Sequence, residues 1–439
     1  MNYEEAMEYI KSTYKFGSNY GTERTKKILE ILGNPQDKIK CIHIAGTNGK
    51  GSMSAMTAKI LISAGYKVGM YTSPFIEEFE ERIQINGTNI QKDDLAKAIT
   101  RVEKAVNEVL SLGYDNPTEF EIITCAMFLY FCEQGVDFAV IEVGLGGRQD
   151  STNVMTPIAC VIASISFDHM QILGDTLEKI ALEKSGIIKE NVPVIMYPQE
   201  QEALDVFKRV CEEKNAKLIL VDRNSVQEKE IIKNSAMQEI IVKTQDDSYD
   251  ISLNLLGVHQ KLNCATVINL MEVLISQGID IKKADILKGL REVKWIGRLE
   301  IMRREPMVVL DGAHNIDGIT NLTNSIKKYF KYDKMILILG ILADKQVDDM
   351  IKMLTPIASK IIAVSPHSDR AKGAKELAQI IKNTNPNCEY EEDYAKAYKK
   401  ALSYCDKDDL LMIAGSLYLI GDMRKVVKNN GSLSIWWAK

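Results

Sequence analysis

The sequence predicts an α/β protein of two domains, of which the first and larger is built on a mostly parallel sheet. Short apolar runs alternate with helical patterns from Cys41 to about Pro198, as is typical of βαβ units. The same alternation resumes at Met307 and predicts a second, smaller α/β domain. A chain of 439 residues, 46% of them hydrophobic, is long enough for two or three domains with buried cores.

Residues 1–40 carry helical patterns, and the segment 3–14 predicts an amphipathic helix that packs on the domain. The first sheet is predicted from apolar runs at 42–45, 67–71, 138–143, 159–165 and 192–196. Further on, 217–221 predicts a strand, 228–256 predicts short alternating strands, and 260–278 predicts a helix. The second sheet is predicted from apolar runs at 307–311, 335–339, 360–364 and 410–414.

A change of composition at 294–298, where Trp295 and Gly297 are candidate hinge residues, marks the predicted domain boundary. We therefore expect an N-terminal domain of residues 1–295 and a C-terminal domain of residues 296–439.

Composition excludes several classes of function. The net charge of −5 gives no basic surplus, so we expect no nucleic-acid partner. The longest strongly apolar stretches, 335–343 and 410–421, are too short to span a membrane. Three glutamates in the first 17 residues argue against a secretory signal. The 8 cysteines form no C-x-x-C pair, which favours free thiols in a reducing cytoplasm over a zinc site.

The stretch 41–53, CIHIAGTNGKGSM, has the order strand, glycine-rich turn, helix. Its glycines let the backbone approach a ligand closely, and the N–H groups of the turn and of the helix start can bind an anion. Lys50 adds a mobile positive charge for a phosphate, and Thr47 or Ser52 offers a hydroxyl to Mg²⁺. The general phosphate-loop pattern ends G-K-[ST], whereas here Gly51 separates Lys50 from Ser52, and a plain turn is the alternative.

Polar side chains follow several predicted strands. Ser73 comes after one strand, Glu142 ends the next, and a third apolar strand is predicted to end at Asp168 and His169. Ligands of open α/β sheets bind at this edge, and hydroxyl, carboxylate and imidazole groups suit a partly hydrated divalent ion. The alternative is a set of ordinary turns with solvated side chains.

In the second domain, Asp311 and His314 follow a strand in the same manner. Arg298 lies in the predicted hinge, where an arginine can reach a phosphate, although a surface ion pair is the alternative. Lys184 lies near the end of a helical pattern, and from residue chemistry alone we interpret it as a solvated charge.

Taken together, these stretches resemble folylpolyglutamate synthase and its relatives with dihydrofolate synthase activity, in the Mur ligase superfamily. The matching segments run in order between about residues 41 and 422: HIAGTNGKGS, YTSPF, ERIQING, EVGLGGRQDSTN, FDHMQILGDT, EKSGIIK, GVHQKLNCATV, WIGRLE, LDGAHN, DK and GSLYLIGD. The resemblance implies an N-terminal ATPase domain of the phosphate-loop type, a Rossmann-like C-terminal domain, and ATP-dependent amide ligation.

The resemblance also implies roles for individual residues. The phosphate loop would comprise Gly46, Thr47, Asn48, Gly49, Lys50, Gly51 and Ser52. The magnesium ligands would be Ser73, Glu142 and His169, and Lys184 would be carbamylated to support a second Mg²⁺. Nucleotide contacts would come from Gln260, Asn263, Arg298 and Asp311, and substrate contacts from Arg82, Asp150, His314 and Ser416. Lys50, Lys184, Asp311 and His314 would be catalytic.

By the same resemblance, the substrates would be a folate or dihydropteroate, with L-glutamate and ATP, and the protein would be a monomer with an optional monovalent cation. Three rival functions share parts of this pattern: a dedicated dihydrofolate synthase, another Mur-type amino-acid ligase, and a non-catalytic nucleotide-binding protein. The GKGS and DGAHN segments favour the folate branch. The polar loops that follow strands in both domains argue against a non-catalytic nucleotide-binding protein.

Overall fold

The computed structural model describes residues 1–16 and 21–430. The chain divides into two compact units. The first contains Met1–Gln227, Ile240–Ser252 and Lys261–Val293, and the second contains Glu228–Glu239, Leu253–Gln260 and the chain from Lys294 onward. The domain boundary after residue 295 stays a prediction.

An eight-stranded sheet forms the centre of the first unit. Its strands are β1 (Lys40–Ala45), β2 (Val68–Tyr71), β3 (Ile83–Ile85), β4 (Thr88–Asn89), β5 (Phe138–Glu142), β6 (Ala159–Ile162), β7 (Val194–Met196) and β8 (Leu218–Leu220). Their spatial order is β4-β3-β2-β5-β1-β6-β7-β8. All pairs are parallel except those made by β3 and β4, which confirms the prediction of a mostly parallel sheet.

Ten helices are described between residues 3 and 292. They are α1 (Tyr3–Ser12), α2 (Glu23–Ile31), α3 (Lys50–Ser63), α4 (Lys92–Ser111), α5 (Glu119–Glu133), α6 (Met170–Leu173), α7 (Leu177–Ser185), α8 (Gln201–Glu213), α9 (Gln260–Ser276) and α10 (Lys283–Glu292). The central strands β1, β5 and β6 are buried along nearly their whole length, as is usual for parallel strands that are covered on both faces. One core contains Ile10, Val102 and Phe128, and another contains Ile162 and Phe207.

Residues 226–253 carry the predicted short strands, β9 (Val226–Glu228), β10 (Gln238–Lys243) and β11 (Ser248–Leu253), in the order β11-β10-β9. The side chains of β10 and β11 alternate between buried and more exposed positions, as expected for a sheet with one solvated face.

The second unit is a smaller α/β structure, as predicted. Its strands are β12 (Glu300–Arg304), β13 (Met307–Asp311), β14 (Met335–Leu339), β15 (Lys360–Ala363), β16 (Cys388–Tyr390) and β17 (Leu410–Ala414), in the order β12-β13-β17-β14-β15-β16. Its helices are α11 (Ile316–Tyr329), α12 (Val347–Leu354), α13 (Ala374–Ile381), α14 (Tyr394–Ser403) and α15 (Leu417–Asn430). Only β12 is antiparallel to its neighbour.

Several predicted elements end earlier than their sequence patterns suggest, among them β6 and α1. Strand β6 stops at Ile162 rather than at residue 165, because the chain then leaves the sheet and Ser164 bridges to Asn48. Asp168 and His169 therefore do not end a strand but lie in the following loop. Helix α1 stops at Ser12, and a 3-10 turn, Thr13–Phe16, follows it. None of the described helices has the length and apolar character needed to span a membrane.

Candidate active site

The glycine-rich turn lies between β1 and α3, as predicted. Two of its glycines are required by space and by backbone angle: a Cβ on Gly46 (φ +151°) would lie 2.6 Å from the Ala163 Cβ, and one on Gly49 (φ +90°) would lie 2.9 Å from the Asn263 Oδ1. The Thr47 N–H donates to the Ser164 carbonyl at 2.7 Å. Gly49 has no side chain to cap α3, so the first N–H groups of that helix are oriented for an anion.

Lys50 and Lys184 both lie at this turn. The Lys50 Nζ donates to the carbonyls of Gly46 at 3.1 Å and Thr47 at 3.2 Å. The Lys184 Nζ, at the end of α7, donates to the same Gly46 carbonyl at 2.9 Å. Two lysine amines thus share one carbonyl of the candidate phosphate loop.

Lys184 is only 4% exposed, so its interpretation as a solvated charge is wrong. Burial, which is the largest effect, and the positive charge of Lys50 lower the pKa of the Lys184 amine, and the carboxylates of Asp168 and Asp150 act in the opposite direction. The resulting pKa is about 7. A substantial fraction of the amine is therefore neutral near pH 7, whereas an exposed lysine is almost wholly protonated there.

The EVGLGG and EKSG segments contain glycines because their backbones touch. A Cβ on Gly147 would lie 2.8 Å from the Lys184 carbonyl oxygen, and a Cβ on Gly186 would lie 2.3 Å from the Arg148 Cα. The Arg148 N–H donates to the Glu183 carbonyl at 2.8 Å. The loop after β5 is thereby packed directly against the helix end that carries Lys184.

Of the predicted magnesium ligands, Ser73 and Glu142 are in contact. The Ser73 N–H donates to the Glu142 Oε2 at 3.2 Å, and Glu142 is buried at the end of β5. His169 begins α6 with φ +50°, and its Nε2 lies 3.9 Å from the Asp168 Oδ1. In the described ranges, no three histidine, cysteine or acidic side chains form a group that could hold a metal by themselves.

Arg82 lies among aromatic side chains. Its guanidinium carbon is 5.4 Å from the ring centre of Phe75 and 5.1 Å from that of Phe79, and its Nη2 is 3.4 Å from the Glu119 Oε1. The Nε of Arg82 is buried without a hydrogen-bond partner in the described structure. Phe75 is 36% exposed. The cluster therefore combines an exposed ring with a cationic N–H donor.

Asp150, a predicted substrate contact, is buried and bonded to its own loop. Its Oδ2 accepts from the Leu145 N–H at 2.8 Å, and its Oδ1 accepts from the Thr152 N–H at 3.0 Å and the Thr152 hydroxyl at 2.5 Å. These bonds hold the loop in shape, and contact with substrate stays a prediction.

In the second unit, Arg298 and Asp311 are close together. A Cβ on Gly312 would lie 2.4 Å from the Arg298 Nη1. Burial raises the pKa of the Asp311 carboxyl, and the positive charge of Arg298 opposes part of that rise. The Asp311 carboxylate accepts from the N–H groups of Leu299 and Ala313, both at 2.9 Å. WIGRLE and LDGAHN thus form one site in this unit.

The other predicted residues are placed as follows. The His314 Nδ1 lies 2.8 Å from the Gly312 carbonyl oxygen. Ser416 is fully buried, and its Oγ accepts from the Tyr418 N–H at 3.2 Å, which caps α15. Gln260 and Asn263 are both buried near the start of α9.

His259 had no predicted role, although it lies in the matching segment GVHQKLNCATV. Burial and the neighbouring charge of Arg298 lower its pKa to about 4, so the ring is neutral at physiological pH. Its buried Nδ1 has no hydrogen-bond partner in the part of the chain that the structure describes. Only the fold shows that this histidine lies beside the WIGRLE arginine.

Comparison with known proteins agrees with this geometry. The Mur ligase middle domain matches residues 44–271, and the Mur ligase glutamate ligase domain matches residues 297–417. The dihydrofolate synthase/folylpolyglutamate synthase of Bacillus subtilis is 39% identical over 433 residues, which cover 97% of this chain and 99% of that protein. The folylpolyglutamate synthase of Lacticaseibacillus casei is 35% identical, over 97% of this chain and 99% of its own.

Solved structures show the same similarity. The folylpolyglutamate synthase of Thermotoga maritima superposes with a TM-score of 0.85 at 34% identity, covering 98% of this chain and 97% of its own. That of Mycobacterium tuberculosis, crystallised with ADP and AMPPCP, gives a TM-score of 0.89 at 27% identity, covering 97% and 99%. These relatives are ATP-dependent ligases. The chain belongs to the folylpolyglutamate synthase/dihydrofolate synthase family of Mur ligases.

Proposed function

We propose that this enzyme joins L-glutamate to a folate, as in tetrahydrofolate polyglutamylation, and also to dihydropteroate, through an acyl phosphate formed with ATP. The observation that carries the proposal is the phosphate loop with two lysine amines on the Gly46 carbonyl, one of them buried. Family membership supports the same reaction class.

The chemistry explains why such a loop is needed. A carboxylate is a poor acyl donor, because its oxide is a poor leaving group, and transfer of the ATP γ-phosphate converts it into an acyl phosphate. That step brings two anions together, so positive charge must be fixed beside them. We propose that the Lys50 ammonium and the N–H groups at the start of α3 supply that charge. The nucleotide-contacting role that the family resemblance implies for Arg298 is part of the same proposal.

The donor set suits Mg²⁺, which binds hard oxygen ligands and keeps several waters. Ser73 and Glu142 would hold one ion together with His169, and Lys184, once carbamylated by CO₂, would offer a second anionic oxygen group. The lowered pKa of Lys184 supports this modification, because only a neutral amine can attack CO₂. Bound Mg²⁺ would neutralise charge on the ATP phosphates.

In the second step the glutamate amine attacks the acyl carbon and expels phosphate, so the amine must be neutral. The Gly312 carbonyl can only accept a hydrogen bond, so the His314 Nδ1 carries the ring proton and Nε2 is the basic nitrogen. His314 Nε2 therefore takes the amine proton in our proposal, with Asp311 nearby as the alternative carboxylate base. Ser416 is proposed as a glutamate contact.

Phosphate release from Mg·ATP with L-glutamate tests the function directly. The assay is run separately with dihydropteroate and with tetrahydrofolate. Release with both would establish the bifunctional enzyme, and release with one alone would identify a dedicated synthase. ATP binding without release in either case would refute the proposal and favour another Mur-type substrate or a nucleotide-binding protein.

Arg82 is proposed to bind the folate substrate, because its guanidinium has an unpartnered N–H beside the exposed ring of Phe75. We expect Arg82→Gln to raise the folate KM about tenfold to a hundredfold, the cost of one charge-assisted hydrogen bond, with little change in the ATP KM. Arg101→Gln, at an exposed ion pair with Glu133, is the matched control. An unchanged folate KM in Arg82→Gln would remove Arg82 from the folate site.

A further inference from the structure

A buried chain of hydrogen bonds joins the central strand to the loop after β5. The His43 Nε2, on β1, lies 2.8 Å from the Thr152 Oγ1, which in turn lies 2.5 Å from the Asp150 Oδ1. All three side chains are buried. A histidine in the middle of an otherwise apolar strand, KCIHIA, is costly to bury unless it is hydrogen-bonded.

The protons in this chain can be assigned. The Asp150 carboxylate accepts backbone N–H groups on both oxygens, so the single Thr152 hydroxyl proton points at Asp150. The Thr152 Oγ1 must then accept a proton from the His43 Nε2. The His43 Nδ1 is consequently unprotonated, which agrees with its lack of any partner among the described residues. Burial lowers the pKa of His43 to about 3, so the neutral form persists at working pH.

The loop held by this chain contacts the end of α7. Asp150 fixes the Leu145 N–H, the backbone of Gly147 lies against the Lys184 carbonyl, and the Asn153 Nδ2 donates to the Gly186 carbonyl at 3.0 Å. Any shift of the loop must therefore move the helix end whose amine bonds to the Gly46 carbonyl.

We propose that His43 is a positioning residue for ligation: by donating to Thr152 it holds the 144–153 loop, and through that loop the Lys184 amine, in the arrangement that the reaction needs. This inference rests on the proposed function. His43 would act indirectly, through Thr152 and the loop, because neither His43 nor Thr152 is exposed to a substrate.

The test compares variants that break the His43–Thr152–Asp150 hydrogen-bond chain with variants that keep it. His43→Leu and Thr152→Val each remove one link, and we expect each to lower kcat about tenfold or more while the ATP KM changes little. The double variant should be no slower than the slower single variant, because both changes break the same chain. His43→Gln, whose amide N–H can replace Nε2–H, and Thr152→Ser, which retains the hydroxyl, should restore most of kcat.

A purely structural role gives a different result. It predicts that His43→Leu and Thr152→Val lower the melting temperature but leave kcat unchanged below that temperature, and this outcome would overturn the inference. The inference would also be overturned if the two substitutions lowered kcat independently, so that their effects multiplied in the double variant. If His43→Leu does not fold, the Thr152→Val and Thr152→Ser pair decides the question. An inactive wild-type chain would instead refute the proposed function, so the two failures are distinguishable.

Discussion

Replacing Lys50 with alanine is expected to abolish ATP-dependent ligation while the fold stays intact. The Lys50 ammonium lies on the candidate phosphate loop and donates to the carbonyls of Gly46 and Thr47 in its immediate turn. The Lys184 amine on the same Gly46 carbonyl is partly neutral near pH 7 and does not replace this charge in full, so the anionic transition state loses a fixed positive charge. A loss of about a hundredfold to a thousandfold in kcat/KM is the expected size for one such donor. The measurement is phosphate release at saturating folate and glutamate.

Lys59→Ala is the matched control, because Lys59 lies on the same helix α3 and pairs with Glu292 at the surface. It should retain wild-type turnover. Circular dichroism and the melting temperature of Lys50→Ala should remain close to wild type, since the substituted residue is at a helix start and alanine is a good helix former. Normal turnover in a folded Lys50→Ala enzyme would refute the phosphate-loop assignment.

Lys184→Ala is expected to inactivate the enzyme in a way that bicarbonate does not rescue. The proposed carbamate forms on the amine itself, so a chain without that amine has nothing to modify. Wild-type enzyme depleted of CO₂ should regain activity when bicarbonate is added, and carbon-13 NMR in labelled bicarbonate should show one carbamate signal. Both responses should be absent in Lys184→Ala.

Lys179→Ala controls for the loss of a lysine from the same helix, because Lys179 is exposed and pairs with Asp175. It should respond to bicarbonate as wild type does. A fully active Lys184→Ala, or a wild-type enzyme whose Lys184 stays unmodified at full activity, would refute the carbamate.

The bicarbonate response should also depend on pH, with a defined sign. Lys184 has a pKa lowered to about 7, and CO₂ reacts with the neutral amine only. Activation by bicarbonate should therefore weaken as the pH falls through about 7 and reach a plateau above it. An ordinary exposed lysine would place that transition near its usual value of about 10.4. A transition there in wild type would show that Lys184 is not buried during activation.

The elements predicted well are those with long apolar runs. Strands β1, β2, β5, β13, β14 and β17 were recognisable because parallel strands are buried on both faces and read as continuous apolar stretches. Strands β3, β4, β12 and β16 were not predicted. These are short, partly exposed strands, and β12 carries arginines and a glutamate, so they lack that pattern.

The overestimated length of β6 has a different cause. Residues 163–165 are apolar or small, as a strand would be, but Ser164 bonds to the phosphate loop and Ile165 to the Gln199 side chain rather than to a neighbouring strand. An apolar sequence indicates that a segment is buried, but it does not indicate which backbone the segment bonds to. The end of β6 was therefore decided by a tertiary contact.

The sequence by itself determined the order strand, glycine turn, helix, and with it the candidate phosphate loop, because glycine spacing and a following helix are local properties. It could not determine the state of Lys184. That side chain is 138 residues from Gly46 along the chain, yet only folding places its amine on the Gly46 carbonyl and removes it from water. The pairing of Arg298 with Asp311 and the His43–Thr152–Asp150 chain arise in the same way. Desolvation and hydrogen-bond partners depend on three-dimensional neighbours, so tertiary structure alone decides which polar residues are chemically altered.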